Sequence, residues 1–186
     1  TVSATGTFGD RNVGNGKTVT LTSSYGGADA SNYTFTDQTS TTANITQKTV
    51  TLTAPSVSKT YDGGTSYAVT ASDRTALAAS LVGGDTITSA TIAYTDKNAG
   101  SGNKTITLNA ATINDGNSGN NYSVTLAGNS TSTITPASLT VTANNDSRAY
   151  SGIAYSGGNG VTYSGFVAGE SASVLAGALT YSGSSQ

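Results

Sequence analysis

The 186-residue chain has no cysteine, histidine, methionine or tryptophan, a single glutamate and two prolines. Without cysteine there is no disulfide framework, so stability must come from packing and sheet hydrogen bonds, and the compartment stays open. Without histidine or cysteine a nucleophile–histidine–acid triad cannot be assembled, and zinc, copper and iron lose their usual ligands. A Ser–Lys or Thr–amine pair needs neither, but nothing marks one hydroxyl among so many. Charge is scarce too: 8 basic and 10 acidic residues leave a net −2, a weak field for nucleic acid or an anionic membrane. No apolar run approaches the roughly 20 residues of a membrane helix. The chain starts at Thr1 with no export signal in view and reads as a piece of something larger. Disorder favours high net charge and many Glu, Lys and Pro. Here Val, Ile, Leu and Tyr recur regularly among Thr, Ser, Asn and Gly, which predicts a folded chain with small cores and many turns.

An internal repeat organises the sequence. "ITQKTVTLTA" (Ile45–Ala54) aligns with "ITPASLTVTA" (Ile134–Ala143), a shift of 89. The same shift sets "KTYDG" (Lys59–Gly63) on "RAYSG" (Arg148–Gly152) and Asn32-Tyr33 on Asn121-Tyr122. "FGDRNVG" (Phe8–Gly14) falls on "YTDKNAG" (Tyr94–Gly100), "KTVTL" (Lys17–Leu21) on "KTITL" (Lys104–Leu108), and "LVGGDT" (Leu81–Thr86) on "FVAGES" (Phe166–Ser171). Small length changes sit between the blocks, where loops tolerate them. The expected organisation is the back half of one unit over 1–54, a complete unit over 55–143 and the front half of another over 144–186. Joints are expected at 48–58 and 135–147, beside Pro55 and Pro136 and inside strand-like runs, which would make them stiff.

Period-two alternation predicts strands at Val19/Leu21, Val50/Leu52, Ile106/Leu108 and Leu139/Val141, at Tyr33–Phe35 and Tyr122–Leu126, and over Thr86–Tyr94. Threonine, β-branched, fills the other face. Gly-, Asn- and Asp-rich clusters separate the runs and make tight turns. The class is all-β: tandem small β-sandwich or open-sheet modules in an elongated array. Ser72–Leu81 and Gly169–Leu179 break the alternation and leave room for one short helix per unit.

Tyr61, Asp62, Gly63 and Gly64 form the most motif-like stretch. Tyr61 recurs as Tyr150, but Asp62 becomes Ser151. A catalytic acid would recur in like units, so these four residues read as a structural turn and not as an enzyme site. Asp10, Asp96 and Asp115 lie in Asn/Gly-rich loops that could offer oxygens to calcium, yet none has the spacing of an acidic cation loop; Asx turns fit better. The remaining acids come mostly one per turn, without the pairing that glycoside hydrolysis needs. No metal, cofactor or catalytic residue is assigned. Asn-x-Ser/Thr triplets at Asn32, Asn44, Asn103, Asn121 and Asn129 are what this composition produces by chance.

Tyrosines in repeat register (Tyr61/Tyr150, Tyr94/Tyr181, Tyr33/Tyr122, with Phe8 at the position of Tyr94) predict core or inter-strand roles. Tyr25, Tyr67, Tyr155 and Tyr163 are less constrained. They are the candidate exposed aromatics for stacking on a sugar or anchoring a partner.

"KTYDGGTSYAVTA", followed by "LVGGDTITSATIAYTDKNAGSGNKTITL" and "NNYSVTLAGNSTSTITPASLTVTA", resembles the YDG repeat. Such repeats occur in tandem in very large secreted bacterial proteins, notably filamentous-haemagglutinin-like adhesins exported by two-partner secretion. "LTVTANNDSRAYSG" through "VTYSGFVAGESASVLAGALTYSGSSQ" resembles the neighbouring MBG module, mostly β and glycine-rich, although here the motif is Tyr-Ser-Gly. The resemblance implies a passive extracellular or cell-surface role: a stalk that extends or displays a binding region, its partners being neighbouring repeats. Two alternatives stand beside it. One is an adhesion module that binds host or bacterial surface glycans or proteins. The other is a filament subunit in which the front half at 144–186 and the back half at 1–54 complete one another between chains, head to tail.

Overall fold

The computed structural model describes residues 1–153, 155, 157–167 and 169–180. Its strands are β1 (Val2–Phe8), β2 (Gly14–Tyr25), β3 (Ser40–Ile45), β4 (Lys48–Thr53), β5 (Ser58–Thr60), β6 (Ser66–Tyr67), β7 (Thr86–Tyr94), β8 (Gly100–Asn114), β9 (Tyr122–Ala127), β10 (Asn129–Thr135), β11 (Thr140–Ala143) and β12 (Val161–Ser164). One helix, α1 (Ala71–Leu77), continues into a 3-10 turn at Ala78–Ser80. The chain is all-β with one short helix. Two compact units interleave along it: Thr1–Pro55 with Ala68–Ile92 and Leu108–Gly128, and Ser56–Tyr67 with Ala93–Thr107 and Asn129–Gln186. The chain passes from the first to the second at Pro55–Ser56, inside one expected joint, whereas 135–147 lies within the second unit.

The first unit holds an antiparallel sheet in the order β1-β2-β3. Phe8 faces Val19 across β1 and β2, and Lys17 faces Ala43 and Gly14 faces Ile45 across β2 and β3, with a bulge between Gly14 and Lys17. A separate parallel pair joins β4 to β9, Val50 opposite Val124 and Leu52 opposite Leu126. Alternation puts Val50 and Leu52 inside while the threonines between them face water. Val19, Ala54, Leu77, Ile87, Ile92, Leu108, Ile113 and Tyr122 are also buried in this unit.

α1 begins at a capping box. Asp73 N donates to the Thr70 hydroxyl, and Thr70 N donates to Asp73 Oδ2 at 2.8 Å. The helix therefore starts one residue before the sequence break at Ser72. The second expected helix, over Gly169–Leu179, is absent: only Ala172–Val174 make a 3-10 turn. Ser171 accepts from Ser173 N, two residues on, and Gly169 and Gly177, with φ of +86° and +101°, bracket the turn in a conformation no α-helix uses.

In the second unit the strand order is β5-β10-β8-β7-β6, which β7 and β8 join through residues 93–94 and 100–107. Here Lys104 faces Ser132 and Gly100 faces Ile134, again with an irregularity between them. By the repeat shift these four residues are Lys17, Ala43, Gly14 and Ile45 of the first unit. The same hairpin, third strand and bulge are thus built twice. Val57, Tyr94, Ile106 and Ile134 are buried, Ile106 completely. β11 pairs with β12, Val141 opposite Tyr163.

Two expectations fail for one reason. Tyr33–Phe35 belongs to no strand, and Tyr33 is 70% exposed. Tyr150, expected in a core or between strands, is 97% exposed and lies in no strand, whereas Phe8, 36% exposed, does take an inter-strand place, in β1 opposite Val19 of β2. Alternation supplies a face, but an isolated strand is unstable until a partner covers it. The register counterparts Tyr122, in β9 beside β4, and Tyr94 are covered and buried. Tyr181 lies outside the described residues.

Candidate functional site: a joint made twice

The Tyr-Asp-Gly-Gly stretch is a clamped turn. Asp62 Oδ1 accepts from Gly64 N at 2.9 Å and from Lys59 Nζ at 2.7 Å. The same ammonium donates to Gly64 O at 2.8 Å and Ser66 O at 3.0 Å, and lies 5.5 Å from the centre of the Tyr94 ring. Gly63 takes φ +80°, which a side chain would resist. The Lys59 ammonium, then the Gly64 N–H, hold the Asp62 carboxyl below its ordinary range. With its side chain 57% exposed, Asp62 faces water and not a second acid.

Both hairpins repeat this clamp. Asp10 Oδ1 accepts from Asn12 N at 2.8 Å and from the Lys17 ammonium, which also donates to Asn12 O at 2.7 Å. Asp96 Oδ1 accepts from Asn98 N at 2.9 Å and from the Lys104 ammonium. In each pair the lysine is inside and the acid is outside. The lysine drives the depression of both carboxyl pKa values. Sequence reading found the turns but not the clamp. Its signal was available: Asp-x-Asn, then glycine, then a lysine seven or eight residues after the acid.

Asp115 is the third acid weighed for a cation. It is 1% exposed, and backbone donors surround its carboxylate: Asn117 N and Gly119 N on Oδ1 at 2.8 Å each, and Asn121 N on Oδ2 at 3.0 Å. Burial pushes its pKa up, and the donors Gly119, Asn117 and Asn121 more than offset it, so the net shift is downward. Among the described residues no group of three or more acidic side chains converges as a metal site would require.

Beside Asp115 lies a charged joint. Arg11 Nη2 donates to Asp85 Oδ1 at 2.7 Å and to Asp115 O at 2.6 Å. The other Asp85 oxygen accepts from the Tyr122 hydroxyl at 2.6 Å, and that hydroxyl also accepts from Val82 N at 3.1 Å. Asn121 Oδ1 accepts from Val13 N at 2.9 Å. These bonds tie the "DRN" turn of one repeat to the "VGGD" turn and the Asn-Tyr strand start of the next, within the first compact unit.

The second unit makes the corresponding joint. Lys97 Nζ stands 3.5 Å from Glu170 Oε1, and the Tyr61 hydroxyl donates to the same oxygen. Lys97 is the register counterpart of Arg11, and Glu170 of Asp85. The hydrogen bond to Glu170 raises the Tyr61 pKa above its ordinary value. A cavity of about 300 Å³ adjoins the pair, walled by Pro136, Leu139, Phe166, Val167 and Leu175. Tyr61 of the turn motif therefore reaches the following repeat, a role its local sequence does not reveal.

The four candidate binding aromatics are engaged within the chain. Tyr25 is half-buried, stacked on Phe35 with centroids 3.8 Å apart, and donates to Asp37 Oδ1. Tyr67 meets Tyr94 edge-on at 6.4 Å. Tyr155 donates to Asp146 Oδ2 at 2.5 Å beneath the Arg148 guanidinium. Tyr163 lies 5.6 Å from Phe166 and, at 38%, keeps substantial exposure.

One sheet, one clamp and one ion-pair joint, each built twice at the spacing of the sequence repeat, define a tandem-repeat all-β protein. The YDG domain family matches residues 1–42 and 46–133, most of the chain, and the chain belongs to that family. No curated protein and no solved structure matches it.

Proposed function

We propose that the chain is a stalk segment of a large bacterial secreted or cell-surface adhesin of the filamentous-haemagglutinin-like kind. In this reading the back half of one YDG unit (1–54) and a complete one (55–143) are followed by the front half of an MBG-like unit (144–186), and the array extends or displays a binding region elsewhere. The observation that carries the reading is the recurrence of Arg11–Asp85 as Lys97–Glu170. A contact reproduced at each repeat is what a serial array needs, because stability then adds up from repeats and nearest-neighbour interfaces. Catalysis has no place in this role, and the acids serve turns and joints.

The test lengthens the array. Chains carrying one, two or four copies of residues 55–143 in series are measured by small-angle scattering at high dilution. A stalk gives a maximum dimension that rises linearly with copy number. Growth as the cube root of mass, the behaviour of a globule, sinks the proposal. A binding module is the second reading, favoured by the exposure of Tyr163 beside Phe166. It predicts glycan-array or cell-surface binding that Tyr163→Ala removes.

A further inference from the structure

The strands that lead into the complete repeat lie beside the strands that lead out of it. In the first compact unit β4 runs parallel to β9, in six residue pairs from Lys48 with Tyr122 to Thr53 with Ala127. Lys48 N donates to Asn121 O at 2.9 Å and Ala54 N to Ala127 O at 3.0 Å, which carries this ladder past both ends of the pairing. In the second unit β5 runs parallel to β10, from Ser58 with Thr133 to Thr60 with Thr135. There Thr133 N donates to Val57 O at 2.9 Å and Tyr61 N to Thr135 O at 2.8 Å. Side chains lengthen this short ladder: Val57 N donates to the Ser132 hydroxyl at 3.1 Å, and the Ser56 and Thr131 hydroxyls share a hydrogen bond. Both ladders carry buried side chains, Val50 and Leu52 on one, Val57, Ser132 and Ile134 on the other.

Parallel strands need a long crossover between them. Here residues 61–121 supply it, with β6, α1, β7 and β8. Tension along the chain enters each pair at the amino end of β4 or β5 and leaves at the carboxyl end of β9 or β10. In a parallel pair those are opposite ends. The load therefore runs along the strands and across their N–H···O bonds, and all the bonds of a ladder share it. A pull on two like ends would instead open the bonds one at a time. While the ladders hold, tension bypasses the crossover.

We infer that the β4–β9 and β5–β10 pairs are a mechanical lock: parallel ladders, loaded in shear, that carry tension past the interior of the repeat. The inference deepens the stalk reading and rests on it, because an array that displays a binding region transmits whatever pull that region meets. The two fail separately. A lock that yields equally in every direction leaves the dimension-versus-copy-number result untouched, and an array that stays globular leaves the rupture force of the single chain unchanged.

The chain lacks cysteine, so introduced thiols alone define where it is pulled. Thr46, Asn120 and Ser138 are exposed. Thr46 and Ser138 lie outside the ladders at opposite ends, whereas Thr46 and Asn120 precede the like ends of β4 and β9. Full chains carrying Thr46→Cys with Ser138→Cys, or Thr46→Cys with Asn120→Cys, are stretched between DNA handles in optical tweezers. Forced unfolding reads the unfolding rate, and shear must break a ladder as a whole, so the first chain should rupture at a force at least about twofold above the second at equal loading rate. It should then lengthen in one step of up to about 330 Å, the extended reach of the chain between its handles. Equal forces in the two directions, or small lengthening steps in the first chain before its peak force, overturn the inference. Should Asn120→Cys unfold the chain, as far-UV circular dichroism would report, the step pattern of the first chain alone decides.

Discussion

Tyr61 donates its phenolic proton to Glu170, 109 residues further along the chain. The bond links the first residue of the Tyr-Asp-Gly turn to the acid of the following repeat, and Lys97 reaches the same oxygen. A tyrosine that donates to a carboxylate holds its proton more tightly, and its pKa is raised accordingly. In a spectrophotometric titration, the difference between the parent chain and Tyr61→Phe should place the missing phenol above the ordinary value near 10. In a Glu170→Gln background the same difference should fall back toward it. A folded-state pKa above the unfolded one stabilises below the unfolded value and ceases to do so as pH rises through the folded value. Tyr61, Tyr25 and Tyr122 all shift upward, so alkaline unfolding should set in above about pH 10.

The acid limb has the opposite sign. Asp115, Asp10, Asp62, Asp96 and Asp146 are all held below the ordinary carboxyl value. Such groups contribute above the unfolded pKa of about 3.9 and lose that contribution as pH falls through their folded values. With no histidine, no side chain titrates at its ordinary pKa between about pH 5 and 8. Urea midpoints should therefore be flat from about pH 5 to 8 and fall below about pH 4. Asp115→Asn sets an amide NH₂ against a backbone donor in a buried turn, and should cost about 1–3 kcal/mol at neutral pH. It should also flatten the acid limb.

The clamps are asymmetric, and so should be their mutants. Lys104 is buried and Asp96 is half exposed. Removing the lysine leaves a carboxylate that water can solvate; removing the acid strands an ammonium inside. Asp96→Ala should lower the melting temperature more than Lys104→Met does, and Asp10→Ala against Lys17→Met should rank the same way. Equal losses, or the reverse order, would show that a stranded ammonium is not the dominant cost at these turns.

Arg11 and Tyr122 meet on Asp85, one on each carboxylate oxygen. Tyr122→Phe should cost about 1–3 kcal/mol, since it takes a donor from a buried carboxylate. Combined with Arg11→Met the losses should not add, with a coupling of about 0.5–3 kcal/mol in a double-mutant cycle. Strict additivity would mean that the two bonds act independently.

Much of the fold could be read in advance because it is periodic. Val50 and Leu52, Ile106 and Leu108 announced their strands by alternation, and the repeat announced that one sheet would be built twice. The joint escaped because its signal is non-local. Asp85 and Glu170 look like ordinary turn acids until Arg11 and Lys97, more than seventy residues away, are placed beside them. The clamps escaped because lysine is usually at the surface, and nothing local says that Lys17, Lys59 and Lys104 turn inward. The fate of Tyr33 could not be read either: its alternation matches that of Tyr122, and only the neighbouring strand separates the exposed copy from the buried one.

The interleaving of the two compact units with the sequence period has a genetic consequence. Each unit draws its parts from two successive repeats, so in each the back of one repeat meets the front of the next. Unequal recombination that gains or loses one whole period restores every such meeting, wherever the crossover falls. Selection can then tune the number of repeats without designing a new interface, whereas a change of half a period would leave an acid without its arginine.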